Sequence, residues 1–253
     1  MTQKIHKRKS NPSMYAYERE DQVLNFNSGD GSKPVGDIEL KEIKSKKLDF
    51  DQNEIDMNPD KFYSGFEQVL NNITLNIEPG SKVCLVGKPG SGVNFFMLTM
   101  MGEAVLNQGN MKMNGRLSYL SSYSEIIFEG TIKDNILVGE KYNADRFVEV
   151  IDLVELDLTR FPAGEEMEIL HHASNMSTDE RKKMLLARLL YHNGDIVCLD
   201  YFFDSWYPIL AERIFNKLLN GFFKDKTVIY STDVSSMIRS SDMVLYFENG
   251  QIL

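Results

Sequence analysis

Apolar residues recur along this chain in two rhythms. Strict alternation appears at Asp37-Ile38-Glu39-Leu40-Lys41-Glu42-Ile43 and again at Ile73-Thr74-Leu75-Asn76-Ile77, the pattern of strands with one buried face. Two unbroken apolar runs, Val83-Cys84-Leu85-Val86 and Ile196-Val197-Cys198-Leu199, have the character of strands covered on both faces, as in a parallel sheet. Helical spacing predicts helices near 93–106, through a region from about 131 to 157, from about 178 to 191, and over 208–223. Short strands are predicted around Lys112 and over 117–120, Val228-Ile229-Tyr230 reads as another strand, and a hairpin over 243–253 closes the order. The highly charged residues 44–67 read as a long hairpin loop. Residues 1–35 form a polar extension, with a helical piece predicted over 14–24 and a linker over 27–34. The fold class is α/β: a mostly parallel sheet with an antiparallel β portion from the first strands. The domain covers 36–253, with a helical subdomain at about 121–190.

Composition narrows the classes. Hydrophobic content of 42% and charged content of 26% in 253 residues fit one α/β domain with a full core, or such a domain plus a tail. No apolar run approaches the roughly 18 residues that span a bilayer. A net charge of −9 argues against a nucleic-acid-binding face and leaves room for a local basic patch. The first residues run against this balance, with Lys4, His6, Lys7, Arg8 and Lys9. They read as a solvated terminus, a docking arm for an acidic partner, or an organellar transit segment. Cys84 and Cys198 lie in apolar runs, imply no disulfide framework, and fit a reducing intracellular compartment. Cytoplasmic, cytoskeletal, ciliary and mitochondrial settings are not distinguished.

The candidate chemistry lies just after the first unbroken apolar run. Gly87-Lys88-Pro89-Gly90-Ser91-Gly92-Val93-Asn94 stands between that strand and the helical run Phe95-Phe96-Met97-Leu98, the order of a phosphate-binding loop, G-x-x-x-x-G-K-[S/T]. Gly87, Gly90 and Gly92 keep the frame, and backbone N–H groups there can cradle an anion. Val93 stands where lysine would meet the β- and γ-phosphates, and Asn94 where a hydroxyl would hold Mg²⁺. Losing one charge-assisted hydrogen bond of this kind costs about 1.5–3 kcal/mol.

Five further phrases occur in order: Val69-Leu70-Asn71-Asn72-Ile73-Thr74-Leu75, Phe128-Glu129-Gly130-Thr131-Ile132-Lys133-Asp134-Asn135-Ile136-Leu137, Leu185-Leu186-Ala187-Arg188-Leu189-Leu190-Tyr191, Asp195-Ile196-Val197-Cys198-Leu199-Asp200 and Phe247-Glu248-Asn249-Gly250-Gln251-Ile252. With them, residues 37–253 resemble the nucleotide-binding domain of ABC transporters, in the branch of the multidrug-resistance proteins and the cystic-fibrosis channel. The resemblance implies a P-loop NTPase-like fold and six motifs for ATP hydrolysis. The glutamine that reaches Mg²⁺ and water becomes Ser122. The signature LSGGQ becomes Met176-Ser177-Thr178-Asp179-Glu180. At about 5 Å and an effective dielectric near 20, the Asp179 charge would repel a γ-phosphate by about 3 kcal/mol. Ser177 and Glu180 also have the spacing of a capping box at a helix start.

The Walker B strand keeps Asp200, but the carboxylate that positions water becomes Tyr201. The D-loop becomes Asp204-Ser205-Trp206-Tyr207. The switch histidine becomes Asp233, which also reads as a helix N-cap. Phe62, Tyr63 and Phe66 are candidates to stack on adenine. Tyr201-Phe202-Phe203 and Trp206-Tyr207 read as an aromatic contact region or as core.

The resulting expectation is a catalytically inactive domain, not an enzyme, serving as a structural or docking subunit of a multi-subunit intracellular assembly. No catalytic residue, metal or resident cofactor is expected, beyond weak binding of ATP or an anion at the vestigial loop. The alternatives are a degenerate half of a transporter pairing with an intact ATPase domain, and a nucleotide sensor that binds without hydrolysis.

Overall fold

The computed structural model describes residues 24–27, 36–47, 67–122, 126–170 and 173–253. The basic N-terminal residues, almost all of the helical piece predicted at 14–24, and the aromatic candidates Phe62, Tyr63 and Phe66 lie outside them.

The unbroken apolar runs become the middle of a six-stranded sheet. Its strands are β4 (Lys82–Gly87), β6 (Leu117–Ser121), β9 (Ile196–Asp200), β10 (Thr227–Ser231), β11 (Met243–Glu248) and β12 (Gln251–Ile252), in spatial order β12-β11-β4-β10-β9-β6. All pairs are parallel except the terminal β11/β12 hairpin. Successive side chains of a strand point to opposite faces, and here both faces are covered. Val83 and Leu85, Ile196 and Cys198, and Ile229 enter one core, while Cys84, Val197 and Leu199, Val228 and Tyr230 enter the other. Two-sided burial explains why these strands are continuous rather than alternating in sequence.

The alternating segments form a second, four-stranded sheet: β1 (Leu24–Asn27), β2 (Ile38–Lys47), β3 (Glu67–Ile77) and β5 (Val105–Asn114), in order β1-β5-β2-β3. β2 runs antiparallel to both neighbours, and β1 joins β5 in parallel. A strand thus occupies part of the stretch expected to be extension and linker. The two sheets close on one core with the helix α1 (Val93–Met100) between them, holding Ile38, Leu40, Ile73, Phe96, Met97 and Phe247. Thr227 stitches the sheets at one end: its hydroxyl donates to the Gly36 carbonyl at 2.7 Å and accepts from the Gly80 N–H at 3.0 Å.

The opposite face carries α2 (Ile132–Leu137), α3 (Ala144–Val154), α4 (Thr178–His192) and α5 (Pro208–Asn220), followed by α6 (Ser235–Ile238). Two small strands, β7 (Gly130–Thr131) and β8 (Glu168–Ile169), pair within this layer. Two expectations change, and one open reading is decided. The helix expected over 93–106 ends at Met100, because Gly102 turns at φ +76° and a strand starts at Val105. The region at 131–157 splits after Leu137, where Val138 and Gly139 both take positive φ. Phe202, Phe203 and Trp206 are core rather than contact surface, stacked in tilted and edge-on pairs at centroid distances of 5.4–5.5 Å. Burying an aromatic of this size is worth about 1.5–3 kcal/mol. Of that group only Tyr207 is largely exposed. Both cysteines are free and buried, and burial pushes the Cys84 thiol up to about 12.

Candidate functional site

The loop 87–94 leaves the end of β4, an interior strand of the sheet, and turns into α1 through Gly90 at φ +84° and Gly92 at φ +110°. Gly92 caps α1 with no side-chain hydrogen bond, so the first-turn amides of the helix have no capping oxygen. The back of the loop is fixed. Ser91 N–H donates to Lys88 O at 2.9 Å, and Gly250 N–H donates to Ser91 O at 2.8 Å. A β-carbon on Gly92 would sit 3.2 Å from both Gly250 Cα and Leu70 Cδ2. In front of Gly90 a β-carbon would meet nothing within 4 Å, so the open side of the loop is there. The buried Ser91 Oγ has no hydrogen-bond partner among the described residues and fills the space that glycine leaves at position 87.

Val93 turns inward and is 4% exposed, packed in the core between the sheets. Asn94 points instead toward Asp200 at the end of β9. Asp200 is fully buried and accepts three hydrogen bonds: from Asn94 Nδ2 at 3.1 Å and the Tyr119 hydroxyl at 3.1 Å on Oδ2, and from Ser231 Oγ at 2.8 Å on Oδ1. Burial, followed by the Asp200 charge, pushes the Tyr119 phenol well above its usual range, so it remains a donor. Ser122 adjoins through its backbone, donating N–H to Asp200 O at 3.0 Å. Tyr201 takes φ +47° and donates its N–H to Ser231 Oγ at 2.9 Å and Ser231 O at 3.2 Å.

Asp233 follows β10 and is exposed. It is not the helix cap: α6 starts at Ser235 and its cap position is Val234. The Asp233 N–H donates to Asp204 Oδ2 at 2.7 Å, and the Thr232 hydroxyl donates to Asp204 Oδ1 at 2.6 Å. Burial, with the nearby Asp233 charge, raises the Asp204 carboxyl above the usual carboxylate range, while the two hydrogen bonds pull against that.

Gly87, Gly90, Ser91, Gly92, Val93, Asn94, Asp200, Tyr201 and Asp233 thus gather around the ends of β4, β9 and β10. Ser177, Thr178 and Asp179 stand apart on the helical layer, at the exposed start of α4. There Ser177 and Glu180 form a reciprocal capping box, and Glu180 also meets Arg160 at 3.4 Å. A cavity of about 730 Å³ lies in this layer between Arg160, Met167, Leu170, Asn175 and Glu180, and none of its lining residues belongs to the loop 87–94. Sequence reasoning missed Tyr119 and Ser231 as site residues, and named Asp204 only as a D-loop position. The first two sit on strands flanking β9, Ser231 directly in register with Asp200 and Tyr119 two positions from it, and the signal was a polar residue near the end of an apolar strand.

A family model for the ABC transporter matches residues 70–202. The chain is 31% identical over 186 residues to ABC transporter C family member 9 of Arabidopsis thaliana, covering 73% of this chain and 12% of that protein. It is 31% identical over 185 residues to the cystic fibrosis transmembrane conductance regulator of Danio rerio, covering 72% and 12%. It is 32% identical over 191 residues to ATP-binding cassette sub-family C member 2 of Homo sapiens, covering 74% and 12%. The match therefore spans about an eighth of the length of these relatives. These findings overturn the expectation that the chain is not an enzyme, because the matched family is one whose nucleotide-binding domains are ATPases. They also favour the transporter half over the structural or docking subunit.

Proposed function

Because this chain belongs to the ABC transporter family, we propose that it is a nucleotide-binding half of a C-type transporter, working against a second nucleotide-binding domain. The observation that carries this reading is the placement of two surfaces on one body. The loop 87–94 opens in front of Gly90 at the sheet ends, and Ser177, Thr178 and Asp179 crown α4 on the helical layer. A domain with both surfaces has two half-sites to offer, and each needs a partner to complete it. Backbone amides at the start of α1 supply the phosphate cradle. Among the described residues no helix is long and apolar enough to cross a membrane. In this reading the translocation path belongs to other segments or chains.

The test uses the whole chain mixed with a C-family nucleotide-binding domain that keeps its loop lysine. Sedimentation is measured with and without ATP. A heterodimer that forms with ATP and is lost when Gly90 is replaced by Val supports the reading. Absence of both nucleotide binding and association rejects it.

A further inference from the structure

In the family, a hydroxyl at position 94 and the carboxylate at position 200 would hold Mg²⁺ on the nucleotide. The residues present here do not fit that ion. A carboxylate offers about four acceptor positions. In Asp200 three are taken by internal donors, and the group is fully buried. Mg²⁺ demands oxygen ligands at about 2.0–2.1 Å in near-octahedral order. Asn94 presents its amide nitrogen, not its oxygen, to Asp200 Oδ2 at 3.1 Å, so an arriving cation would face the positive end of an amide. Turning that amide over would set its oxygen against the carboxylate and remove one of the three donors.

We infer that the loop 87–94 takes nucleotide phosphates without a divalent cation, the Asn94 amide standing on Asp200 where the ion would be. This rests on the nucleotide-binding reading above and specifies that affinity gains nothing from a divalent cation, free and cation-bound nucleotide being held alike. The phosphates then meet only the backbone amides of the loop and the start of α1, and Asp200 is satisfied whether or not nucleotide is bound.

Calorimetric titration of the whole chain with ATP, once in excess Mg²⁺ and once in EDTA, tests this. The expected dissociation constants agree within about twofold, a difference of about 0.4 kcal/mol. Asn94→Thr, which removes the amide and restores a hydroxyl, is expected to create a preference for Mg²⁺ of about tenfold, or about 1.4 kcal/mol. As a second readout, Mn²⁺ added with ATP keeps its free-ion paramagnetic resonance spectrum with the native chain no less than with ATP alone, and loses part of it with Asn94→Thr. Binding by the native chain that weakens about tenfold in EDTA overturns the inference and leaves the nucleotide-binding reading standing. Absence of ATP binding in both conditions overturns that reading and the inference with it.

Discussion

Gly250, in the turn between the last two strands, is pressed onto Val69 of β3 so closely that a β-carbon there would overlap the Val69 carbonyl oxygen. Its φ is +75°, its carbonyl accepts from Asn71 N–H at 2.9 Å, and its own N–H donates to Ser91 O at 2.8 Å. Gly250→Ala should therefore cost about 3 kcal/mol, from strain at positive φ plus displacement of β3. Gly90→Ala should cost only about 1–2 kcal/mol, the left-handed penalty alone, since nothing crowds that position. Urea unfolding of the two variants checks the order.

Nucleotide affinity should follow the same map in reverse. Gly90 borders the open side of the loop, so Gly90→Val should weaken ATP binding while leaving most of the stability. Thermal stabilisation by ATP reads this directly: at about 100 times the dissociation constant the native chain should gain about 2.7 kcal/mol. Val93→Lys should put a charge on the phosphates and tighten binding, while costing stability because Val93 is packed in the core.

Arg188 sits 4% exposed in the middle of α4 and donates to Asn135 O at 2.6 Å, Ile126 O at 2.7 Å and Asn135 Oδ1 at 3.1 Å. Burial lowers its pKa to about 10, which still leaves it charged at neutral pH. Arg188→Met keeps much of the volume and strands these acceptors, at about 1–3 kcal/mol each where they stay dry. Hydrogen exchange should then rise first in α2 and the segment before it, ahead of the parallel strands.

Acidification should act in two opposite directions. Hydrogen bonds from the Thr131 backbone and hydroxyl hold the Asp134 carboxyl below the usual range. In Glu180 burial pulls upward, but the bonds from Ser177 and the nearby cations leave the net shift downward. Both folded pKa values lie below the unfolded ones. Their stabilisation is present above about pH 4 and is lost as pH falls through the folded values. Asp134→Asn with Glu180→Gln should flatten the acid limb of the melting profile. Removing the cap with Ser177→Ala should cost about 1 kcal/mol at neutral pH.

Asp204 has the reverse sign, because burial raises its folded pKa. The stability linked to its proton is complete below the unfolded value of about 4 and disappears as pH rises through the folded one. Asp204→Asn should remove that component, so the variant loses less stability than the native chain between acid and neutral pH. Melting curves across that interval decide it.

The parallel strands were legible because two-sided burial leaves an unmistakable apolar run, as at 83–86 and 196–199. The capping box at Ser177 and Glu180 was legible because its chemistry is local in sequence. What escaped was set by distant partners. Asp200 finds Asn94, Tyr119 and Ser231 from three separate elements, and no spacing within one segment encodes such a meeting. Asp233 looked like a cap because Asp before a helical run commonly is one. Asp204 takes its backbone N–H instead, and the helix starts a residue later than expected. The aromatic run at 201–207 could be sorted into core and surface only once α5 supplied Phe215 to stack on Phe203, and β10 supplied Tyr230 to stack on Phe215.

Thr227 gives the domain a mechanical property. One hydroxyl grips Gly36 ahead of the antiparallel sheet and Gly80 at the entrance to β4, so sliding one sheet past the other breaks both bonds together. From Thr227 the strand β10 runs straight to Ser231, whose hydroxyl rests on Asp200. One buried strand therefore carries at its two ends the tie between the sheets and the support of the carboxylate beneath the loop.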